Sequence, residues 1–181
     1  LPAALLFLAT ARAAARVPEL NGWWIDGGFR PAETVDLAMV VSLRRGGLLT
    51  PTIREADSLD AAETMAVLKE MVTAARGGAL RSSWMADASL TVTNLGDNGV
   101  DRVAGVIFPP QVALVGIGRT RSRPWVGDDG RLVVSPVVTV TLAADHRATD
   151  GTTGSRFLPA LVRALDELAD GAPTHHHPEV R

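Results

Sequence analysis

The chain has 181 residues, of which 46% are hydrophobic, and its formal net charge at pH 7 is −2. These values suit a single domain with a hydrophobic core of its own. They argue against nucleic-acid binding, which requires a strongly basic surface. The chain contains no cysteine, so disulfides, thiolate metal ligands and a cysteine nucleophile are excluded.

The first sixteen residues form an apolar run that resembles a signal peptide or a membrane span. A signal peptide would have a basic stretch before the apolar run, and none is present here. Arg12 and Arg16 also interrupt the run too early for a signal peptide or a membrane span. We therefore predict a buried core helix that stops before Pro18, and a protein with no membrane association. Because this helix is already under way at residue 1 and no methionine precedes it, we expect the chain to begin inside a domain. We also expect a cytoplasmic location.

The middle of the chain alternates between strand and helix patterns. Strands are predicted where β-branched and apolar residues fall between turn residues: residues 23–25, 34–43, 48–53 and 89–93, and a buried strand after Pro109-Pro110. Pro51 should lie at an edge or an end of its strand, because proline lacks the amide hydrogen that a central strand needs. Residues 58–76 have helical spacing, with Ser58 as the cap and Gly77-Gly78 as the stop.

The last third of the chain carries the most informative stretch. After a hairpin turn at residues 127–130, residues 131–144 predict a strand that runs into the interior, and residues 152–168 predict an amphipathic helix. The loop between them holds His146, the one histidine outside the C-terminal tail, and Asp150 four residues later. Such a corner can hold catalytic groups rigidly. It can equally be a core histidine and a turn aspartate ahead of a helix, so the loop alone leaves both interpretations open.

The whole string at residues 145–151, D-H-R-A-T-D-G, resembles the D-H-R-x-x-D-G signature of the dihydrolipoamide acyltransferases. These are the E2 components of 2-oxo acid dehydrogenase complexes. Further segments resemble the same family in the same order. They are P-E-L-N at residues 18–21, G-L-L-T-P-T-I-R-E-A-D at 47–57, T-V-T-N-L-G at 91–96 and P-P-Q-V-A-L-V-G-I-G at 109–118. The resemblance spans residues 18–168.

The resemblance implies an α/β fold like that of chloramphenicol acetyltransferase, a mixed β-sheet covered by helices that assembles as a trimer. It implies an acyltransferase catalytic domain over residues 1–168, incomplete at its N-terminus, and a C-terminal tail over residues 169–181. We expect neither a lipoyl domain nor a peripheral-subunit-binding domain here, because the one lysine, Lys69, falls in a helical pattern and not at a hairpin tip. The lipoyl group is then supplied by another domain or chain.

The resemblance also implies the chemistry. Acyl transfer between thiols needs a base, and an imidazole is suited to that task near pH 7. His146 is expected to take the proton from coenzyme A, the co-substrate, or from dihydrolipoamide. Thr93 takes the place of the family serine that donates to the oxyanion of the tetrahedral intermediate, at a site shared with a neighbouring subunit. Asp150 is expected to orient the loop, with an arginine partner as one route, and Arg147 to be structural.

The expected partners are further copies in a homotrimer or larger E2 core, a lipoyl domain, and the E1 and E3 components. One stretch departs from the family, which usually shows T-P-I-I-N before the two prolines, whereas residues 104–108 read A-G-V-I-F. The ring of Phe108 could therefore reshape the wall of a substrate channel. The three histidines at 175–177 suit a solvated tail better than a metal site, because adjacent residues cannot easily all face one ion.

Two other functions stay open at the level of sequence. A coenzyme A-dependent acyltransferase with another small-molecule acceptor has the same fold, but such enzymes tend to have a second histidine where this chain has Asp145. A non-catalytic E2-like core or scaffold protein fits the altered stretch, yet the retention of His146, Asp150 and the Thr93 hydroxyl argues against it. The motifs distinguish neither the acyl group nor a trimer from a cubic or icosahedral core.

Overall fold

The computed structural model describes residues 2–43, 46–127 and 129–170. Its helices are α1 (Pro2–Arg16), α2 (Ala61–Gly77) and α3 (Gly151–Asp170). Its strands are β1 (Gly22–Ile25), β2 (Gly28–Pro31), β3 (Leu37–Met39), β4 (Val41–Ser42), β5 (Leu48–Leu49), β6 (Thr52–Ile53), β7 (Leu90–Asn94), β8 (Ala113–Ile117), β9 (Arg121–Val126), β10 (Leu132–Val137) and β11 (Val140–Ala144). The predicted α/β fold, a mixed sheet covered by helices, is confirmed.

A five-stranded mixed sheet forms the centre of the fold, in the order β11-β8-β7-β3-β6. Strand β7 runs parallel to both β3 and β8, while β6 and β11 pair antiparallel at the two edges. All five residues of β8 are buried, as expected of an apolar strand that has a neighbour on each side. Strand β8 therefore fixes the register of β7, which carries Thr93, and of β11, which leads to His146.

The helices pack on one face of this sheet. Helix α1 is buried along most of its length and packs between α2 and α3. The sheet residues in the same buried cluster include Val92 on β7 and Val115 on β8. Because side chains alternate along a strand, Thr93 and Gly116 lie on the opposite face of the sheet. The helices therefore do not cover the face with Thr93, where Val103 packs close to Gly116 instead.

The stretch predicted as one strand over residues 131–144 is in fact two strands. Strand β10 lies outside the central sheet and pairs with β9 in a separate hairpin, whereas β11 joins β8. Most of β10 is exposed, with Leu132 at 74% and Val134 at 79%. The prediction of a strand running into the interior was wrong for this first half. β-Branched periodicity indicates a strand, but it does not indicate which neighbour that strand pairs with.

The start of α2 also differs from the prediction. Asp60 caps the helix in place of Ser58: the Asp60 carboxylate accepts from the Glu63 amide at 2.8 Å, and the Glu63 carboxylate accepts from the Asp60 amide at 2.8 Å. The Ser58 hydroxyl donates instead to the Glu55 carbonyl. The D-x-x-E spacing is the sequence signal that distinguishes the two caps. The predicted stop is confirmed, because Gly78 has a left-handed φ of 72°.

Smaller differences concern the ends and continuity of elements. The strand predicted over residues 34–43 is interrupted between β3 and β4, and Pro51 directly precedes the edge strand β6, as expected of a proline. Strand β2 was not predicted. Helix α3 continues to Asp170, two residues beyond the predicted limit of the catalytic domain at residue 168. The rest of the predicted tail, with the histidines at 175–177, lies outside the described residues.

Gly118 lies directly after β8, at a point where two segments of the chain pack closely together. A Cβ atom there would lie 2.1 Å from the carbonyl oxygen of Asp101, a backbone atom that cannot easily move aside. We expect Gly118→Ala to lower the free energy of unfolding by about 1–3 kcal/mol, the range for overpacking. Calorimetry should then show a melting temperature several degrees lower.

Gly77→Ala is the matched control for this substitution. No atom lies within 4 Å of a Cβ at position 77, and alanine favours the helix in which this residue lies. The control should therefore keep or raise the melting temperature. Equal melting temperatures for Gly118→Ala and the unchanged chain would contradict the packing described.

Candidate functional site

Backbone hydrogen bonds hold the loop that carries His146. The Asp145 amide donates to the Val112 carbonyl at 2.7 Å, which continues the pairing of β11 with β8 by one residue. The amides of Ala148 and Thr149 both donate to the Asp145 carbonyl at 3.0 Å, and α3 begins directly after the loop. The backbone of His146 is thus fixed between a strand and a helix, while its side chain is exposed.

Asp150 lies in the same loop and caps α3. Its Oδ1 accepts from the Thr153 amide at 2.9 Å and from the Thr153 hydroxyl at 3.2 Å. The bond from the Thr153 amide is the main reason that the pKa of Asp150 lies below its ordinary 3.8, and the charge of a protonated His146 acts in the same direction, against a partial loss of hydration. His146 and Asp150 therefore share one loop, in which the carboxylate of Asp150 is bound to Thr153. Among the described residues, no arginine pairs with Asp150.

Arg147 pairs with Asp145 instead. Its Nε donates to both carboxylate oxygens of Asp145, at 3.0 and 3.1 Å, and its Nη2 donates at 2.6 Å. These hydrogen bonds lower the pKa of Asp145 and raise the pKa of Arg147. The Asp145 side chain is 10% exposed, whereas that of Arg147 is 60% exposed. Arg147 thus has a structural role, as expected. Its ion pair with Asp145 joins the residues on the two sides of His146.

A residue that the sequence did not single out also contacts this loop. The ring of Trp24 in β1 faces the guanidinium of Arg147, with 5.0 Å between the guanidinium carbon and the ring centroid. This distance is typical of a cation–π interaction. The Trp24 amide donates to the Pro110 carbonyl at 2.8 Å. Nothing in the linear sequence connects positions 24 and 147, so no sequence signal could have found this contact.

Thr93 lies near the end of β7 and far from His146 in the same chain. Thr93 lies opposite Gly116 on β8, whereas Ala144, the last residue of β11, lies opposite Ala113. Three residues along a strand and two strand spacings across the sheet place the Cα atoms of Thr93 and Ala144 about 14 Å apart. Beyond Ala144 the chain continues away from Thr93, since Asp145 pairs one residue further along. One chain therefore does not bring the two side chains together.

The residues after Thr93 close a tight turn. The side-chain oxygen of Asn94 accepts from the Gly96 amide at 2.9 Å, and the Leu95 amide donates to the Ile117 carbonyl at 3.0 Å. A Cβ atom at Gly96 would lie 2.9 Å from the Gly118 carbonyl oxygen. The N-L-G part of the T-V-T-N-L-G segment thus has a local structural role: it fixes the backbone next to the Thr93 hydroxyl.

Phe108, the last residue of the altered stretch, lines a cavity together with the three residues that follow it. The cavity has a volume of about 540 Å³ and a mostly aromatic and aliphatic lining, formed by Trp23, Ile25, Asp87, Ala88, Phe108, Pro109, Pro110 and Gln111. Phe108 is 40% exposed on its wall. Gln111 precedes Val112, the residue that holds the start of the His146 loop. The effect of Phe108 on a substrate channel stays a prediction, but its ring does lie beside a cavity of suitable size.

Over residues 2–43, 46–127 and 129–170, no three histidine, aspartate or glutamate side chains come together as metal ligands. In that same part of the chain, every helix is too short or too polar to cross a bilayer.

Comparison with known proteins gives consistent matches. The family described as 2-oxoacid dehydrogenases acyltransferase (catalytic domain) matches residues 2–170. The dihydrolipoyllysine-residue acetyltransferase component of the pyruvate dehydrogenase complex of Rickettsia bellii is 33% identical over 164 residues. That match covers 91% of this chain and 39% of the relative, so the chain spans about two fifths of the length of this curated protein.

Solved structures agree with the sequence matches. The cubic core of the pyruvate dehydrogenase multienzyme complex gives a TM-score of 0.83 at 26% identity, covering 94% of this chain and 69% of that one. The Azotobacter vinelandii dihydrolipoamide acetyltransferase gives the same values. The structure of that enzyme was solved to define the roles of a serine, a histidine and an asparagine in its catalytic mechanism, and the histidine and asparagine are four residues apart. Chloramphenicol acetyltransferase, at 17% identity and a TM-score of 0.59, shares the fold.

The family match over residues 2–170 includes all the segments that resemble the family by sequence, and the solved structures of that family share the fold of this chain. The chain belongs to the 2-oxoacid dehydrogenase acyltransferase family, and it corresponds to the catalytic domain of that family.

Proposed function

We propose that the chain acts as the catalytic domain of a dihydrolipoamide acyltransferase, which moves an acyl group between dihydrolipoamide and coenzyme A. The observation that carries this proposal is the exposed imidazole of His146 on a fixed backbone, four residues before the carboxylate of Asp150. The histidine and asparagine named for the Azotobacter vinelandii enzyme have the same spacing. By that spacing Asp150 takes the place of the asparagine. An aspartate at this position keeps an acceptor oxygen and adds a negative charge.

His146 acts as the general base in this proposal. It removes the proton from the thiol of coenzyme A or of dihydrolipoamide, and the thiolate attacks the carbonyl carbon of the other partner's thioester. The carbonyl oxygen of the tetrahedral intermediate becomes an oxyanion, to which the Thr93 hydroxyl donates a hydrogen bond. When the intermediate collapses, the C–S bond of the original thioester breaks, and the departing thiolate takes a proton back from His146.

The Thr93 of one subunit is proposed to serve the His146 of a neighbouring subunit. The separation of about 14 Å between Thr93 and the end of β11 within one chain supports this arrangement. A second support is that β11 is an edge strand and that the adjoining β9–β10 hairpin exposes Trp125, Leu132 and Val134. Exposed apolar side chains beside an open sheet edge are typical of a surface that another chain covers.

We therefore propose a homotrimer as the active unit, and the likeness to a cubic core favours a larger E2 assembly. The lipoyl group reaches the site on another domain or chain, and the E1 and E3 components are the further partners. We propose a cytoplasmic location for the protein.

Acyl transfer from coenzyme A to a different small-molecule acceptor is the second candidate. The observation in its favour is the cavity of about 540 Å³ beside Phe108, because small-molecule sites are mostly apolar clefts of this size. A non-catalytic scaffold is the third reading, and it predicts no turnover with any acceptor.

The first test measures transfer from a panel of acyl-coenzyme A donors to dihydrolipoamide with the assembled protein. We expect turnover that falls by about 10²–10⁴-fold in His146→Ala, because that is the usual contribution of a general base. His176→Ala is the matched control and should keep full activity. Turnover that is the same in His146→Ala contradicts the role of His146, and no turnover with any donor or acceptor leaves only the scaffold.

The second test concerns the hydroxyl at position 93. We expect Thr93→Val, which keeps the shape of the side chain and removes the donor, to lower kcat by about 10²–10³-fold. Thr93→Ser keeps the hydroxyl and should retain most of the activity. Equal kcat values for the valine and serine variants would exclude Thr93 as the oxyanion donor.

The third test concerns Asp150 as the cap of α3. Asp150→Ala removes the acceptor for the Thr153 amide and should lower the melting temperature at pH 7, whereas Asp150→Asn keeps an acceptor oxygen and should lower it less. The pKa of Asp150 is depressed in the folded chain, so its stabilising effect is complete above its unfolded pKa and is lost as pH falls through the folded pKa, below 3.8. The difference between Asp150→Ala and the unchanged chain should therefore shrink below pH 3.8. A difference that is constant from pH 7 to pH 3 would contradict this assignment.

A further inference from the structure

Arg147 is held from two sides by different parts of the chain. On one side its guanidinium donates to both carboxylate oxygens of Asp145. On the other side it lies against the ring of Trp24, 5.0 Å from the ring centroid. The charge of Arg147 is already neutralised by Asp145, so the pair is a poor site for an anionic substrate. Its geometry suits a role in holding the loop.

Trp24 is itself anchored to the segment that holds the loop. The Trp24 amide donates to the Pro110 carbonyl at 2.8 Å, and two residues later the Val112 carbonyl accepts from the Asp145 amide at 2.7 Å. The contacts thus form a closed ring, from Trp24 through residues 110–112 to Asp145, then to Arg147 and back to Trp24. In the sequence, His146 lies between Asp145 and Arg147, the two residues of the ion pair.

This ring adds side-chain contacts to the backbone hydrogen bonds that hold the loop with the imidazole. The side chain of His146 is exposed, so burial does not hold it in place. Arg147 is 60% exposed, and a surface ion pair between residues two apart holds a loop only weakly. The aromatic face of Trp24 restricts the guanidinium, and through Asp145 it restricts the backbone on both sides of His146. Rigid supporting contacts of this kind are what a catalytic group needs to keep its geometry.

We propose that Trp24 is a positioning residue for acyl transfer, which acts through Arg147 to set the orientation of the His146 loop. The proposal rests on the role of His146 as general base and adds to it a residue from β1, 122 positions away in the chain. Trp24 contacts neither the substrate nor the reacting atoms in this proposal. Its effect is on kcat, because a misplaced base lowers the rate of the chemical step more than the binding of substrate.

The test compares steady-state kinetics of the assembled protein with those of Trp24→Ala and Trp24→Phe. We expect Trp24→Ala to lower kcat by about 10-fold to 100-fold with KM changed less than about twofold, the scale of a small misplacement of a catalytic group. Trp24→Phe keeps an aromatic face for Arg147 and should restore kcat to within about threefold of the unchanged protein. An unchanged kcat in Trp24→Ala overturns the proposal.

Trp84→Ala is the matched control. The Trp84 ring also faces an arginine, Arg81, at 5.0 Å, but it lies near the β6 edge of the sheet, opposite the edge that carries the loop. Trp84→Ala therefore removes an equivalent arginine–tryptophan contact and should leave kcat unchanged. A loss of kcat as large as that of Trp24→Ala would mean that general destabilisation is the cause, and this outcome also overturns the proposal.

A double substitution separates positioning from other effects of Trp24. If Trp24 acts only through His146, then Trp24→Ala should change the residual rate of the His146→Ala protein by less than about twofold. An equal loss in both backgrounds would show that Trp24 acts on another part of the site, and it would overturn the proposal.

Hydrogen–deuterium exchange gives a readout that does not depend on the reaction. The amides of Ala148 and Thr149 bond to the Asp145 carbonyl, so their exchange reports on the loop. We expect faster exchange at these amides in Trp24→Ala and near-normal exchange in Trp24→Phe. If His146→Ala keeps full activity, the proposed function fails, and exchange still decides whether Trp24 holds the loop. Unchanged exchange in Trp24→Ala overturns the inference whatever the activity.

Discussion

The pairing of β8 with a parallel strand on one side and an antiparallel strand on the other determines where both candidate groups lie. The parallel neighbour β7 brings Thr93 to the C-terminal part of β8, and the antiparallel neighbour β11 ends beside the N-terminal part, where His146 follows. Because β8 is buried along its whole length, this register is strongly fixed. A shift of β7 by one residue against β8 would turn the Thr93 side chain towards the helices. The same shift would turn the residues before and after Thr93 away from the helices.

The sequence predicted most of the fold because the relevant signals are local. The apolar run of α1, the amphipathic spacing of α3 and the β-branched residues of β7, β8 and β11 each indicate their element without knowledge of the partner. The loop between β11 and α3 was predicted for the same reason, since a strand pattern, a helix pattern and the residues between them are contiguous. The family resemblance added the order of the motifs, and the matched fold agrees with it.

The features that the sequence did not predict depend on contacts between distant residues. The periodicity of residues 131–144 could not show that the chain leaves the sheet between β10 and β11, because both halves have the same strand pattern. The sequence suggested an arginine partner for Asp150 but none for Asp145, whereas in the described residues Arg147 pairs with Asp145 and Asp150 accepts from Thr153, because only the folded chain shows which carboxylate faces the guanidinium. Trp24 gave no signal at all, since its contact with Arg147 exists only once β1 is bound to the segment before β8.

The distance between Thr93 and the end of β11 within one chain also has a consequence for how activity scales with assembly. Under the proposed arrangement, each complete site consists of a histidine from one chain and a threonine from the next. The number of complete sites therefore equals the number of contacts between chains, and not the number of chains. A closed ring of three chains has as many such contacts as it has chains, whereas an open pair has one contact for two chains. Activity per chain is then a measure of ring closure, and a chain that is folded but alone contributes two half-sites and no complete one.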